Sequence, residues 1–162
     1  NASETLLIHQ AFLERPDDLK KIIQAHRDAG VEIRGCERLQ QIVPDVTPAT
    51  EEDWKTEYLD MIYSVRMVDD VGAAIDHIET YASHHTDAIV TEDAETARRF
   101  LQQVDSSVVL HNASTMFCDG ESLGMGAEIG ISTDKIHARG PMGLNELTSY
   151  KFVIKGNGHV MG

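Results

Sequence analysis

The spacing of apolar residues changes several times along the chain, and each change predicts an element. Leu6-Leu7-Ile8 within Thr5 to His9 predicts a strand. Pro16-Asp17-Asp18 then opens a helix with Leu19, Ile22, Ile23 and His26 on one face, and Gly30 supplies its stop. Val31-Glu32-Ile33 alternates like a short strand, Cys36 to Val43 reads as a second short helix, and Pro44 to Pro48 as a loop. β-Branched and aromatic residues return from Tyr58 to Val68. Asp70 follows as the cap of a helix with Val71, Ala74, Ile75, Ile78 and Tyr81 in its apolar stripe. Asp87 to Thr91 is a further strand. Glu92-Asp93 starts a helix carrying Ala97, Phe100, Leu101 and Val104, and Ser107 to Leu110 extends again. Strands alternating with helices of this length predict an α/β fold, layered, with a mainly parallel sheet flanked by helices.

Past Asn112 the periodicity ends. Glycines at 120, 124, 126, 130, 140 and 143 punctuate a long irregular stretch, and such a stretch in a compact domain is more often functional than idle. Tyr150 to Ile154 closes the pattern as a last strand. The divisions are therefore 1–110, 111–149 and 150–162 within a single domain.

Composition narrows the class. With 162 residues, 41% hydrophobic and 25% charged, the chain is large enough to bury a core without staples and too apolar for disorder. A formal net charge of -13 makes contact with nucleic acid or anionic membranes repulsive, so an anionic ligand has to meet a local cluster of donors. With neither a leader nor a long apolar run, the expected setting is cytoplasmic and off the membrane. Cys36 and Cys118 are too few and too scattered for a disulfide framework or a zinc site. Asn1-Ala2-Ser3 and Asn112-Ala113-Ser114 fit the glycosylation tripeptide, but nothing else suggests the secretory route it needs. An opening on Asn1, one step before a strand and without Met, reads as a piece of a longer protein.

The candidate chemistry lies in three places. Ser83-His84-His85-Thr86-Asp87 gathers imidazoles, hydroxyls and a carboxylate at a helix-to-strand junction; adjacent histidines on a strand face opposite ways, so no metal is expected there. Lys135, His137 and Arg139 form the compact basic cluster of an acidic chain, either a solvated group or a grip on phosphate or carboxylate. The glycine-rich stretch from Leu123 to Gly143 fits neither a Walker loop nor a dinucleotide fingerprint.

Four segments together resemble a known family: NASETLLIH (1–9), SHHTDAIVTED (83–93), NAST (112–115) and LGMGAEIGISTDKIHARGPMG (123–143). They are similar to γ-glutamyl phosphate reductase, also called glutamate-5-semialdehyde dehydrogenase, of proline biosynthesis, a branch of the aldehyde dehydrogenase superfamily. The resemblance implies an aldehyde dehydrogenase catalytic-domain-like fold. It also implies an NADPH-dependent reduction of γ-glutamyl phosphate through a cysteine thioester. In the family that cysteine directly precedes the segment that begins here at Asn1, so no catalytic nucleophile is expected within the chain. The parent would bind NADPH mainly through a missing domain, and this piece alone should be inactive.

By the same resemblance, 1–110 is the catalytic core, 111–149 the substrate-pocket segment and 150–162 an oligomerisation strand. Asn112, Ser114, Thr115 and Phe117 would face the acyl group, and His85, Thr86, His137 and Arg139 would rim the anion site. Glu57 would contact the nicotinamide ribose. Met116 departs from the family's Arg, which removes a bidentate anion donor. The expected partners are γ-glutamyl phosphate, further copies of the parent chain and glutamate 5-kinase. The alternative is a non-catalytic structural or oligomerisation domain of the same fold.

Overall fold

The computed structural model of the chain describes residues 2–162; Asn1, where the first family segment and the first glycosylation tripeptide begin, lies outside them. Up to His111 strands and helices alternate: β1 (Thr5–His9), α1 (Pro16–Asp28), β2 (Glu32–Gly35), α2 (Glu37–Gln40), β3 (Thr47–Pro48), β4 (Ile62–Val68), α3 (Val71–Tyr81), β5 (Thr86–Ile89), α4 (Ala94–Gln103) and β6 (Val108–His111). One sheet runs β1-β4-β2-β3 and a second pairs β5 with β6, all in parallel. Parallel neighbours require crossovers, and the helices provide them. The layered α/β expectation holds.

The faces follow from strand parity. In β4, Tyr63, Val65 and Met67 join Ile8 of β1, Ile33 of β2, Leu19 and Ile23 of α1 and Leu39 in the main core. The alternate residue Leu7 packs instead against the core of Ile78, Phe100 and Val104, which holds α3 and α4. Leu19 and Ile23 stand four apart, one helical turn, so α1 docks through one stripe. Its end is set by Gly30 at φ +84, a left-handed state glycine adopts without a Cβ clash. Asp70 and Asp93 cap α3 and α4 by accepting from the backbone N–H groups of Ala73 and Thr96.

Several expectations change in detail. Pro44 cannot continue a helix, so α2 stops at Gln40 and the chain turns to bury Val43 and Val46. The predicted loop then contains β3, a two-residue strand on the sheet's edge, where Pro48 sacrifices no interior ladder bond. β4 begins at Ile62 rather than Tyr58, because Leu59 sits at φ +52 and breaks the extension. A 3-10 turn at Glu51–Lys55 precedes it, unmarked by any apolar period.

From Asp119 to Gly162 the chain forms neither helix nor strand. Gly120 is required there by a close approach: an added Cβ would lie 2.3 Å from the Ala127 carbonyl oxygen. The strand expected at Tyr150 to Ile154 enters neither sheet, since no edge of this chain reaches it and a lone segment has no ladder to join. Tyr150, Phe152 and Ile154 are 86%, 85% and 92% exposed. No helix among the described residues is long and apolar enough to cross a membrane.

Candidate functional site

Glu57 stands exposed between the 51–55 turn and β4. Glu4, just before β1, has its carboxyl pKa raised first by partial burial and then by the negative charge of Glu57. The backbone oxygen of Glu4 accepts from the Ser64 N–H at 2.9 Å, which fixes Glu4 beside β4. Glu57 therefore lies within electrostatic reach of Glu4, the residue before β1.

The turn that precedes Glu57 is tied on two sides. On one side the buried Asp53 carboxylate receives four donors: Arg34 Nη1 at 2.8 Å, Thr50 N at 2.6 Å, Thr50 Oγ1 at 2.7 Å and Tyr58 OH at 2.8 Å. Burial by itself would push this carboxyl up. The hydrogen bonds from Arg34, Thr50 and Tyr58 outweigh it and hold the carboxyl well below the usual carboxylate range. The Tyr58 hydroxyl is correspondingly pushed up to about 12, by burial first and by its bond to Asp53 second.

On the other side Trp54 meets the edge of His77, with ring centroids 5.8 Å apart, and Arg66 lies over the Trp54 ring. The Nδ1 of His77 accepts from Arg66 Nη1 at 3.0 Å, so the ring is neutral with its proton on Nε2. Burial and then the Arg66 charge lower the His77 pKa from 6.5 to about 4. The unfolded chain therefore takes up a proton before the folded one. The stabilisation is complete above about pH 6.5 and is lost as pH falls through 4. Urea titrations should find the chain weaker at pH 4 than at pH 7 by about 1–3 kcal/mol from this group. His77→Gln should flatten that slope, and an unchanged slope would remove His77 as its source.

The other predicted residues surround the β5–β6 sheet but at opposite ends. His85 and Thr86 sit at its N-terminal end, with His85 Nδ1 and Thr86 Oγ1 2.8 Å apart. His85 lines a cavity of about 20 Å³ with Val108, Cys118, Glu128 and Gly140, room for about one water. Arg139 is at this end too. Its Nη2 donates to Asp105 at 2.6 Å and Lys135 pairs with the same carboxylate, so one negative charge is shared between the two cations. The exposed His137 has its Nδ1 2.6 Å from the Ala138 carbonyl oxygen.

Asn112 follows the C-terminal end of β6, one strand length or about 13 Å away. It adopts φ +51, accepts from Thr91 N at 2.9 Å and donates to Thr91 O at 3.0 Å, which joins the exits of β5 and β6. Ser114 caps the 3-10 turn Thr115–Cys118 by accepting from Met116 N. Met116 and Phe117 are exposed on that turn, whereas Cys118 turns inward. The eight predicted substrate residues thus encircle one small sheet without meeting at a point, and Glu57 belongs to the other sheet. Among the described residues no three His, Cys, Asp or Glu side chains gather to hold a metal ion.

Sequence reasoning missed Asp53, Arg34, Tyr58 and Asp105. The spacing of Thr50 and Asp53, a hydroxyl followed three residues later by a carboxylate, was the available signal for the first of these. Asp105 carries no motif.

No family model matches the chain. It is 52% identical over 160 residues to γ-glutamyl phosphate reductase of Thermotoga petrophila, a match covering 99% of this chain and 38% of that protein. The crystal structure of γ-glutamyl phosphate reductase from Thermotoga maritima superposes with a TM-score of 0.94 at 50% identity, covering 99% of this chain and 38% of that one. A propionaldehyde dehydrogenase variant from Clostridium phytofermentans shares the fold alone, with a TM-score of 0.50 at 9% identity over 82% of this chain and 37% of that one. The chain thus spans a little over one-third of the relatives it resembles. In sequence and architecture alike, it matches one continuous stretch of the γ-glutamyl phosphate reductases and has an aldehyde dehydrogenase-like fold.

Proposed function

We propose that this chain forms the acyl-substrate wall of an NADPH-dependent reductase that converts γ-glutamyl phosphate to glutamate 5-semialdehyde in proline biosynthesis, in the cytoplasm. The 52% identity over 160 residues to a γ-glutamyl phosphate reductase carries this reading. The reading puts a cysteine directly before Asn1. Its thiolate attacks the acyl carbon, and the carbon–oxygen bond to phosphate breaks to leave a thioester. When bound, NADPH supplies the hydride that reduces that carbonyl. The thiolate then departs as the aldehyde forms.

The residues present fit one edge of the cofactor. Glu57 is an exposed carboxylate within electrostatic reach of Glu4, an acceptor suited to ribose hydroxyls, while a phosphate-cradling fingerprint is left to the rest of the parent. His85 and Thr86 offer a ring N–H and a hydroxyl to the glutamyl carboxylate or the phosphate. At Arg139, anion capture exchanges the Asp105 carboxylate for the substrate's. Asn112, Ser114, Thr115 and Phe117 border the acyl end, with Met116 where the family has Arg. The exposed run from Tyr150 to Ile154 is the oligomerisation strand of the parent, and glutamate 5-kinase is a further partner.

The test is the whole reading frame that contains this segment, purified and assayed for NADPH oxidation with γ-glutamyl phosphate. Turnover that disappears when the residue before Asn1 is changed supports the assignment. An intact protein with cysteine there and no turnover sinks it.

A further inference from the structure

The Asp53 knot stands where no substrate is expected, yet it ends one residue from Glu57. Asp53 is 5% exposed, and its two carboxylate oxygens divide their donors. Oδ2 takes both groups of Thr50, which close the 3-10 turn on itself, while Oδ1 takes Arg34 from β2 and the hydroxyl of Tyr58. The Arg34 guanidinium also lies over the Tyr58 ring, 5.0 Å from its centroid. Tyr58 is thus held at its ring and at its tip. Leu59 follows at φ +52, an unfavourable state for a leucine that its 87% exposed side chain does nothing to offset. Such a backbone persists only where its surroundings hold it, and the residue directly before it is Tyr58, fixed by Asp53 and Arg34.

We infer that Asp53, acting through the hydroxyl of Tyr58, is a positioning residue that fixes the backbone of Glu57 and so sets how tightly the parent enzyme holds its nicotinamide cofactor. The inference rests on the reading of Glu57 as a ribose contact. Trp54, packed on His77 and beneath Arg66, anchors the same turn to α3 and β4. The far end is left to Tyr58.

The experiment uses the full-length enzyme and three variants, Tyr58→Phe, Glu57→Gln and the double substitution, with NADPH and γ-glutamyl phosphate varied in turn. Tyr58→Phe keeps the ring on Arg34 and removes only the hydroxyl that Asp53 shares between its Oδ1 and its backbone oxygen, so a thermal melt should find it folded. Expected are a rise in KM for NADPH of about fivefold, the worth of one hydrogen bond, and a KM for γ-glutamyl phosphate within about twofold of wild type. Glu57→Gln should raise the NADPH constant as well. The double variant should be no worse than Glu57→Gln alone, because the two act through one contact. A Tyr58→Phe enzyme with unchanged KM for NADPH beside an impaired Glu57→Gln enzyme overturns the positioning role and leaves the Glu57 reading standing. Parallel loss for both substrates overturns it too, by reducing the knot to general stability. An unaffected Glu57→Gln enzyme removes the Glu57 contact and the inference with it.

Discussion

Asp53→Ala should weaken the folded chain by about 3 kcal/mol, read as a shift of the urea midpoint at pH 7. The size follows from what is left behind. Truncation removes one acceptor from Arg34 and Tyr58 and the other from both groups of Thr50, in a place where Asp53 itself is 5% exposed. The Arg34 side chain is 30% exposed and keeps Glu32 as a second partner, so the loss stays below that of a fully buried charge. Asp53→Asn retains one acceptor oxygen but turns an NH₂ toward existing donors, and should fall between wild type and alanine. The pH dependence has a definite sign. A carboxyl held below its usual 3.8 in the fold stabilises above that value, and the contribution disappears as pH falls toward the folded pKa. The alanine variant should therefore lose less stability on acidification than wild type. A loss under about 1 kcal/mol would mean that water replaces the carboxylate readily.

Leu19→Ala should be comparably damaging, about 3–4 kcal/mol by the same measurement. Leu19 is 0% exposed and sits where α1 meets the β1-β4-β2 sheet, in the cluster with Ile23, Ile33, Val65 and Met67. Removing three carbons there forfeits transfer energy and leaves a cavity that the two-sided packing cannot close. Leu144→Ala is the contrast, since that side chain is 81% exposed and should change stability by less than about 0.5 kcal/mol. Equal effects at the two positions would contradict the docking of α1.

How far the amino-acid pattern reaches can be traced through these residues. Leu19, Ile22 and Ile23 announced α1 because a helix buries one stripe, and Asp70 and Asp93 announced α3 and α4 because a short carboxylate caps a free N–H. β3 was hidden, since two residues at an edge leave no period to read, and so was the 51–55 turn, whose fixing contacts come from Arg34 and His77 far along the chain. The candidate site divides in the same way. Glu57 and the candidates from 83 to 139 were nominated by family resemblance, yet the pairing of Arg139 with Asp105 and the engagement of Asn112 with Thr91 belong to tertiary contacts no local motif encodes.

The order β1-β4-β2-β3 also governs how such a chain comes together. β1 and β2 are each flanked by β4, in registers such as Thr5 with Ser64 and Glu32 with Ile62, so the strand at the centre is the last of the four to be synthesised. Until Val68 has left the ribosome, β1 and β2 border an empty slot, and their backbone groups facing it have only water to bind. Filling it closes a loop of nearly sixty residues from β1 and a shorter one from β2 in one event, which favours slow, all-or-none assembly. Nascent chains halted before Ile62 should therefore stay protease-sensitive however long they are held.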